Sequence, residues 1–145
     1  HYTGSDTAQI TNAFTANYAN PEDPYLQDFG EINLRSEQGT GYIRVDWFTP
    51  DALPTWGDGR LTILGTEGYL ELRKYVDVGG SEGADHLILV NQSKSEKIDA
   101  SNAGLPYFSR FAHDIEHRSE TAMTQAYCFT VMELALLAQQ MAEAE

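Results

Sequence analysis

Apolar and polar side chains alternate along much of the first hundred residues. From Phe29 to Arg35, Ile32 and Leu34 fall on one side of an extended chain, and charged or amide side chains fall on the other. The same alternation runs from Tyr42 to Phe48, with Gly39-Thr40-Gly41 between the two segments. A period of two with a glycine-containing connection is typical of a half-buried hairpin. We therefore predict two antiparallel strands joined at residues 39–41.

Five further strands are predicted from β-branched and aromatic runs bounded by turn formers. Prolines and glycines interrupt these runs, so the segments 19–24, 50–59 and 79–83 are predicted as loops, and 65–68 as a short hairpin connection. The predicted strands are Ala8 to Asn17, Arg60 to Leu64, Tyr69 to Tyr75, His86 to Asn91 and, at an edge, Glu96 to Ile98.

The last third of the chain changes to a helical period. Phe108, Phe111 and Ile115 recur at helical spacing after Pro106, a residue favoured at helix starts. A longer helix is predicted from Thr121 to Ala142, with Ser119 or Thr121 as its N-cap. Because it is apolar on nearly every side, we expect it to lie between two layers. Strands followed by helices predict an α+β fold, with an open, mostly antiparallel sheet and helices packed on one face.

The two faces of the predicted sheet differ in composition. One face is apolar, and we expect the two helices to cover it, including Ile43, Val45 and Trp47. The other face mixes both charge signs with tyrosines, and Tyr and Arg are enriched at protein interfaces. Self-association through this face is predicted, with an ordinary solvated face as the alternative. The predicted interface residues are Tyr42, Arg44, Tyr69, Glu71, Arg73 and Tyr75.

Composition narrows the choice of partners. The 145 residues carry 9 basic and 22 acidic side chains, a net charge of -13. Nucleic acid is a poor partner because no basic stripe exists to neutralise phosphates, and acidic membrane surfaces are disfavoured on the same grounds. No segment approaches the length of a membrane-spanning run. Residues 1–145 are predicted to form one domain.

The single cysteine gives a weak indication of compartment. Cys128 lies within the most apolar helical segment, so we expect a buried, inert thiol with no internal disulfide partner. A reducing compartment, the cytoplasm, fits this composition. The chain starts at His1 without an initiator methionine, and we interpret it as part of a longer protein whose signal peptide, if any, lies outside this sequence.

Two motifs bear on cofactors and metals. No glycine-rich fingerprint follows a strand and opens a helix, so no cradle for a dinucleotide is expected. The segment from His113 to His117 matches the pattern H-x-x-E-H, in which two histidines one turn apart can hold zinc. Solvated helix histidines explain the same pattern, because no third ligand is identifiable. We predict no catalytic metal.

A sugar-binding loop is the strongest candidate site. Trp56, Asp58 and Arg60 flank one loop beside a strand, with Trp47 preceding it. An aromatic face next to planar hydrogen-bonding groups suits a sugar ring. The alternative is structural: Trp47 would belong to the core, and Asp58 with Arg60 would form a loop salt bridge.

Several segments resemble the C-terminal domain of the Gfo/Idh/MocA oxidoreductases, the family of glucose-fructose oxidoreductase and inositol dehydrogenase. The resemblance covers most of the chain and rests on the order and spacing of modest motifs. The segments that carry it are Gly41 to Pro50, Trp56 to Arg60, Ile63 to Lys74, Asp114-Ile115, Met123 to Gln125 and Glu133 to Gln140.

This resemblance implies a sugar, polyol or cyclitol dehydrogenase whose NAD or NADP binds to an N-terminal Rossmann domain. That domain, with the family's catalytic lysine and acid-base pair, would lie upstream of His1. No catalytic, cofactor-binding or metal-binding residue is therefore assigned here, and the isolated chain is expected to be inactive. The loop from Trp56 to Arg60 is expected to face substrate. A non-catalytic module for sheet-mediated interaction or carbohydrate binding is the alternative.

Overall fold

The chain divides into two compact units in a computed structural model that describes residues 2–5 and 7–144. Unit 1 combines the described residues up to Phe48 with those from Pro106 onward, and unit 2 comprises Thr49–Leu105. Both units contain an open antiparallel sheet, and unit 1 also contains two helices. The predicted α+β class is confirmed, with the strands arranged as one three-stranded and one four-stranded sheet.

Unit 1 is built on the predicted hairpin and the first strand. Strands β1 (Gln9–Ala16), β2 (Phe29–Arg35) and β3 (Thr40–Asp46) form an antiparallel sheet in that order. The hairpin turn lies three residues earlier than predicted, at residues 36–39, where the Ser36 N–H donates to the Gly39 carbonyl over 2.8 Å. Thr40 and Gly41 already pair with β2, so the alternation identified the strands but not their ends.

Helix α2 (Gln125–Glu143) packs on β1, while α1 (Tyr107–His117) precedes it in the chain. Ala13 on β1 and Ala138 on α2 are 2% and 3% exposed, and they form the buried apolar core of the described residues. Small side chains at such a contact allow the helix and the strand to approach closely, so the core lies at this edge of the sheet.

The predicted covering of the apolar sheet face is wrong for β3. Ile43, Val45 and Trp47 are 46%, 66% and 69% exposed, because α2 lies over β1 at the opposite edge of the sheet. The prediction that Cys128 is buried is also wrong, since its side chain is exposed. A helix that packs through one side leaves its other sides uncovered, whatever their polarity.

Unit 2 confirms the predicted second hairpin and the edge strand. Strands β4 (Arg60–Gly65), β5 (Gly68–Arg73), β6 (His86–Asn91) and β7 (Ser95–Ile98) form an antiparallel sheet in chain order. Gly68 begins β5 with a φ of +156°, and a Cβ atom there would overlap the carbonyl oxygen of Val90 on β6. Glycine is therefore required at the point where β5 passes β6.

A buried carboxylate fixes the connection between α1 and α2. Asp114 is 9% exposed, and its two oxygens accept hydrogen bonds from the Ser119 hydroxyl, from both the N–H and the hydroxyl of Thr121, and from the Ala122 N–H. Burial acts to raise the pKa of Asp114, but the hydrogen bonds from Ala122, Thr121 and Ser119 outweigh it and hold the pKa well below the ordinary value of 3.8.

This network explains why α2 begins later than predicted. Ser119 and Thr121 were the predicted N-caps, but both hydroxyls donate to Asp114. Thr124 caps the helix instead, its side-chain oxygen accepting the Tyr127 N–H over 3.1 Å.

Replacing Asp114 by asparagine is expected to lower the melting temperature by about 5 °C or more at neutral pH. An amide has one acceptor oxygen, so its NH₂ group would face a donor at the second position. Because the folded pKa lies below the unfolded value, the stabilisation is complete above pH 3.8 and is lost as the pH falls through the folded pKa.

Thermal unfolding followed by circular dichroism at several pH values checks this. The Glu116→Gln variant, on the exposed side of the same helix, serves as the control. A melting temperature unchanged by Asp114→Asn at neutral pH, or a difference that grows in acid, would contradict the role of the carboxylate.

Candidate functional site

The candidate sugar-binding loop leads directly into β4 of unit 2. The Gly59 carbonyl accepts the Lys74 N–H over 2.8 Å, which extends the pairing of β4 and β5 past Arg60. Asp58 Oδ2 accepts from Arg60 Nε over 3.0 Å and from an Arg60 terminal nitrogen over 2.7 Å. The structure thus confirms the loop salt bridge between Asp58 and Arg60 that the structural alternative expected.

Trp56 presents its indole to solvent. Trp56 is 88% exposed. In the same loop, the Thr55 hydroxyl donates to the Gly57 carbonyl over 2.7 Å. Trp47 belongs to unit 1 and is 69% exposed, so the alternative that placed Trp47 in a core is wrong. An exposed aromatic ring two residues from a carboxylate–guanidinium pair is an arrangement suited to stacking and hydrogen bonding with a sugar.

The Asp58–Arg60 pair contributes little to folding. The two side chains are 24% and 53% exposed, and ion pairs of this exposure typically stabilise proteins by at most about 1 kcal/mol. The fold therefore places no strong demand on the pair, and both groups remain close enough to solvent to exchange partners with a ligand.

Arg73 joins the Asp58–Arg60 pair in a charged cluster that also includes Glu71 and Asp77. It pairs with Arg60 in the register of β4 and β5, so the two side chains share a face. Its guanidinium contacts Glu71 over 2.8 Å and Asp77 over 3.1 Å. The hydrogen bond to Glu71 is the largest cause that raises the pKa of Arg73, with Asp77 and Asp58 contributing through their charge. Three carboxylates thus compensate two guanidinium groups.

Two carboxylates make contacts within the glycine-rich connection between β5 and β6, residues 74–85, which is called the excursion below. Asp77 accepts the Gly79 N–H over 2.9 Å, and a side-chain hydrogen bond from Ser81, that N–H and the charge of Arg73 lower its pKa. Asp85 lies 2.7 Å from the Lys74 ammonium and raises the pKa of that lysine. Ion pairs at both ends of the excursion therefore keep it next to the charged cluster.

His86 is a member of this region that the sequence analysis missed. It is 2% exposed and pairs with Arg73 in the register of β5 and β6. Its Nε2 lies 2.9 Å from the Gly83 carbonyl, which can only accept, so Nε2 carries the proton. Its Nδ1 is buried without a hydrogen-bond partner among the described residues. A histidine at the start of an apolar strand was the available signal.

The polar face of the unit 1 sheet contains two of the predicted interface residues. Tyr42 and Arg44 lie opposite Asn33 and Glu31 on β2, which confirms that they share one face. The Tyr42 hydroxyl donates to Glu31 over 2.9 Å, and this hydrogen bond raises the pKa of Tyr42. Arg44 bonds Asp46 over 2.8 Å, and its guanidinium lies 5.2 Å from the ring centre of Phe29. Tyr42 remains 58% exposed.

The other predicted interface residues lie in unit 2. Tyr69, Glu71 and Arg73 alternate along β5 and share a face, as predicted. Tyr75 lies two residues beyond the end of β5, so its side is not set by the strand register, and the predicted strand was too long. Arg73 and Glu71 contact each other and also belong to the charged cluster.

Neither helix start fits a dinucleotide. In α2 the first turn is capped by the Thr124 side chain, and α1 starts after Pro106. No glycine-rich strand-to-helix turn precedes either helix, so the described residues present no cradle for a pyrophosphate. Neither helix is long and apolar enough to cross a membrane, within the part of the chain that the structure describes.

His113 and His117 stack with ring centres 4.1 Å apart, and His117 Nδ1 donates to the His113 carbonyl over 3.0 Å. Over residues 2–5 and 7–144, no group of three histidine, cysteine or acidic residues is placed to hold a metal ion. The absence of a catalytic metal stays a prediction.

Comparison with known proteins places this architecture among oxidoreductase structures. No protein-family model matches the chain, and no curated protein matches it. A putative oxidoreductase from Erwinia carotovora atroseptica is 45% identical, with a TM-score of 0.90, over 97% of this chain and 43% of that one. A putative oxidoreductase from Thermotoga maritima is 17% identical, with a TM-score of 0.76, over 94% of this chain and 39% of that one.

The chain therefore spans less than half the length of either protein. It is similar in sequence and fold to part of the Erwinia protein, and similar in fold alone to part of the Thermotoga protein.

Proposed function

We propose that this chain is the substrate-binding domain of an NAD- or NADP-dependent oxidoreductase of the Gfo/Idh/MocA type, acting on a sugar, polyol or cyclitol. The observation that carries the proposal is the 45% identity, over 97% of the chain, to a protein named as a putative oxidoreductase. The motif resemblance along the strands and α2 supports the narrower assignment to this family. A reducing compartment, the cytoplasm, is the proposed location.

The loop at the start of β4 would form part of the substrate pocket. Asp58 and Arg60 offer a carboxylate and a guanidinium 2.7 Å apart, and vicinal hydroxyls of a sugar can donate to the first and accept from the second. Trp56 offers an exposed ring on which the apolar face of the sugar can stack. In this role the three residues bind and orient the substrate, and no proton transfer is assigned to them.

The cofactor would bind outside this chain. The described residues lack the glycine-rich helix start that holds a pyrophosphate, so they do not fit NAD or NADP. A second, Rossmann-type domain of the complete polypeptide would supply the cofactor site and the acid-base groups. The isolated chain would bind substrate weakly and would not transfer hydride.

A non-catalytic carbohydrate-binding or sheet-mediated interaction module is the second candidate. The observation that favours carbohydrate binding is the 88% exposure of Trp56 beside a charged pair, since exposed aromatic rings serve in both kinds of site. The two functions differ in one measurable property: only the oxidoreductase requires a nicotinamide cofactor on the complete polypeptide.

We expect calorimetry to detect no binding of NAD or NADP to the 145-residue chain, because no helix start in it can hold a pyrophosphate. The complete polypeptide encoded by the natural gene is expected to bind one of the two cofactors in the micromolar range. Micromolar binding to the chain by itself would contradict its assignment as the substrate domain. A complete polypeptide without affinity for either cofactor would favour the non-catalytic module.

We further propose that the chain self-associates through the polar sheet faces. Tyr42, with its hydroxyl on Glu31, and Arg44, over the Phe29 ring, combine exposure with aromatic and guanidinium groups, a composition typical of interfaces. A two-fold axis would let alternating arginines and carboxylates of one copy meet those of another. In unit 2 the corresponding residues are Tyr69, Glu71, Arg73 and Tyr75.

A Tyr42→Glu, Tyr75→Glu double variant is expected to shift the chain from oligomer to monomer in light scattering at tens of micromolar. The added carboxylates would place like charges across the two-fold axis. Tyr25→Glu, at a residue 94% exposed in a loop of unit 1, is the control and should leave the mass unchanged. A monomeric wild-type chain, or an oligomer indifferent to the double variant, would show that these faces are not the interface.

A further inference from the structure

Protein carboxylates already engage both guanidinium groups of the charged cluster. Arg60 donates twice to Oδ2 of Asp58, over 3.0 and 2.7 Å. Arg73 donates to Glu71 over 2.8 Å and to Asp77 over 3.1 Å. Like charges directly opposite each other on neighbouring strands repel, and these carboxylates relieve the repulsion between the two arginines. A carboxylate or phosphate of a ligand would therefore have to displace one of them.

The charged cluster carries one more negative charge than positive. Its members are Asp58, Arg60, Glu71, Arg73 and Asp77. The Lys74–Asp85 pair next to it adds no net charge. Lys97 shares the face of Glu71 but lies two strands away, at about 10 Å. Because the whole chain has a net charge of -13, an anionic ligand would enter a region of its own sign, and a cationic ligand a region of opposite sign.

Asp58 can contact a cationic ligand while it keeps its bonds to Arg60. Both bonds from Arg60 end on Oδ2, so Oδ1 receives neither of them, and the side chain is 24% exposed. The hydrogen bond to Glu71 is the main cause that raises the pKa of Arg73, and the charge of Asp58 adds to it. Asp58 thus acts on both guanidinium groups. Salt screens partly buried charges less than fully exposed ones, so this charge balance matters at physiological ionic strength.

We propose that the charged cluster selects a polyol that bears a protonated amine, an amino sugar or an aminocyclitol, and that Asp58 sets this selectivity. The ammonium group would contact the Asp58 carboxylate, while hydroxyls bond to Arg60 and the ring stacks on Trp56. By occupying the guanidinium of Arg60, Asp58 also denies it to the carboxylate of a sugar acid or the phosphate of a sugar phosphate. This inference rests on the proposed function of the loop as part of a substrate pocket.

The test is calorimetry of the complete polypeptide with three sugars that share one ring: D-glucosamine, D-glucose and D-glucuronate. D-Glucosamine is expected to bind about tenfold or more tightly than D-glucuronate, because it gains a charge-assisted hydrogen bond, with D-glucose between them. The ratio should shrink between about 20 mM and about 500 mM NaCl, while the affinity for D-glucose stays constant. scyllo-Inosamine and myo-inositol, measured in parallel, distinguish an aminocyclitol from an amino sugar.

The Asp58→Asn variant tests the assignment to Asp58. It keeps the shape of the side chain, removes the excess negative charge and weakens the hold on Arg60, so the preference for D-glucosamine over D-glucuronate is expected to fall at least tenfold. Glu67→Gln is the control, because Glu67 is exposed in the turn at the opposite end of the β4–β5 hairpin from Arg60 and Arg73. It removes one negative charge from the same unit and should leave the preference unchanged. An unchanged melting temperature verifies that both variants are folded.

A wild-type polypeptide that binds D-glucuronate as tightly as D-glucosamine would overturn the inference, and so would a preference that survives Asp58→Asn. Failure of every sugar and cyclitol to bind would overturn it together with the proposed pocket. Sugar binding is measured without cofactor, so a complete polypeptide with no affinity for NAD or NADP would refute the proposed oxidoreductase while leaving this order of affinities intact.

Discussion

The contact between α2 and β1 is the interaction on which unit 1 depends. Ala13 and Ala138 are almost fully buried there, yet each contributes only a methyl group to the core. Small side chains at this contact bury little apolar area between the helix and the strand. Larger apolar side chains of α1, α2 and β3, among them Phe108, Phe129 and Val45, remain at the surface.

Buried carboxylates order the loops in place of a larger core. Asp114 holds the turn between the helices, and Asp28, which is fully buried, accepts the N–H groups of Tyr18 and Ala19 and the side-chain amide of Asn20. Burial acts to raise the pKa of Asp28, but these hydrogen bonds lower it overall. Both carboxylates bond to N–H and hydroxyl donors of their own loops, so their roles are structural.

The carboxylates of unit 2 behave differently. Asp58 and Glu71 pair with guanidinium groups that are partly exposed, and these pairs contribute little to stability. Groups that the fold does not need are the groups that a ligand can engage without unfolding the domain. This contrast separates the proposed substrate-facing cluster from the loop-ordering residues of unit 1.

Local sequence pattern predicted the elements well, and contacts between elements and their connections account for the errors. Alternation located the strands, and Asp58 and Arg60 were found because an aromatic, a carboxylate and a guanidinium group flank one loop beside a strand. The burial of His86 depends on where the glycine-rich segment returns to β5. The start of α2 moved to Thr124 because Asp114 engages the Thr121 hydroxyl, and Cys128 is exposed because α2 packs through its Ala138 side.

The central claim is that this chain binds the substrate while another domain binds the cofactor. Steady-state kinetics of the complete polypeptide with D-glucose or myo-inositol test it most directly, comparing wild type with Arg60→Gln and with Lys97→Gln as the control. Loss of a charged hydrogen bond of about 1.4 kcal/mol predicts a KM for the polyol about tenfold higher, with the KM for NAD or NADP unchanged. A raised KM for the cofactor with an unchanged KM for the polyol would contradict the claim.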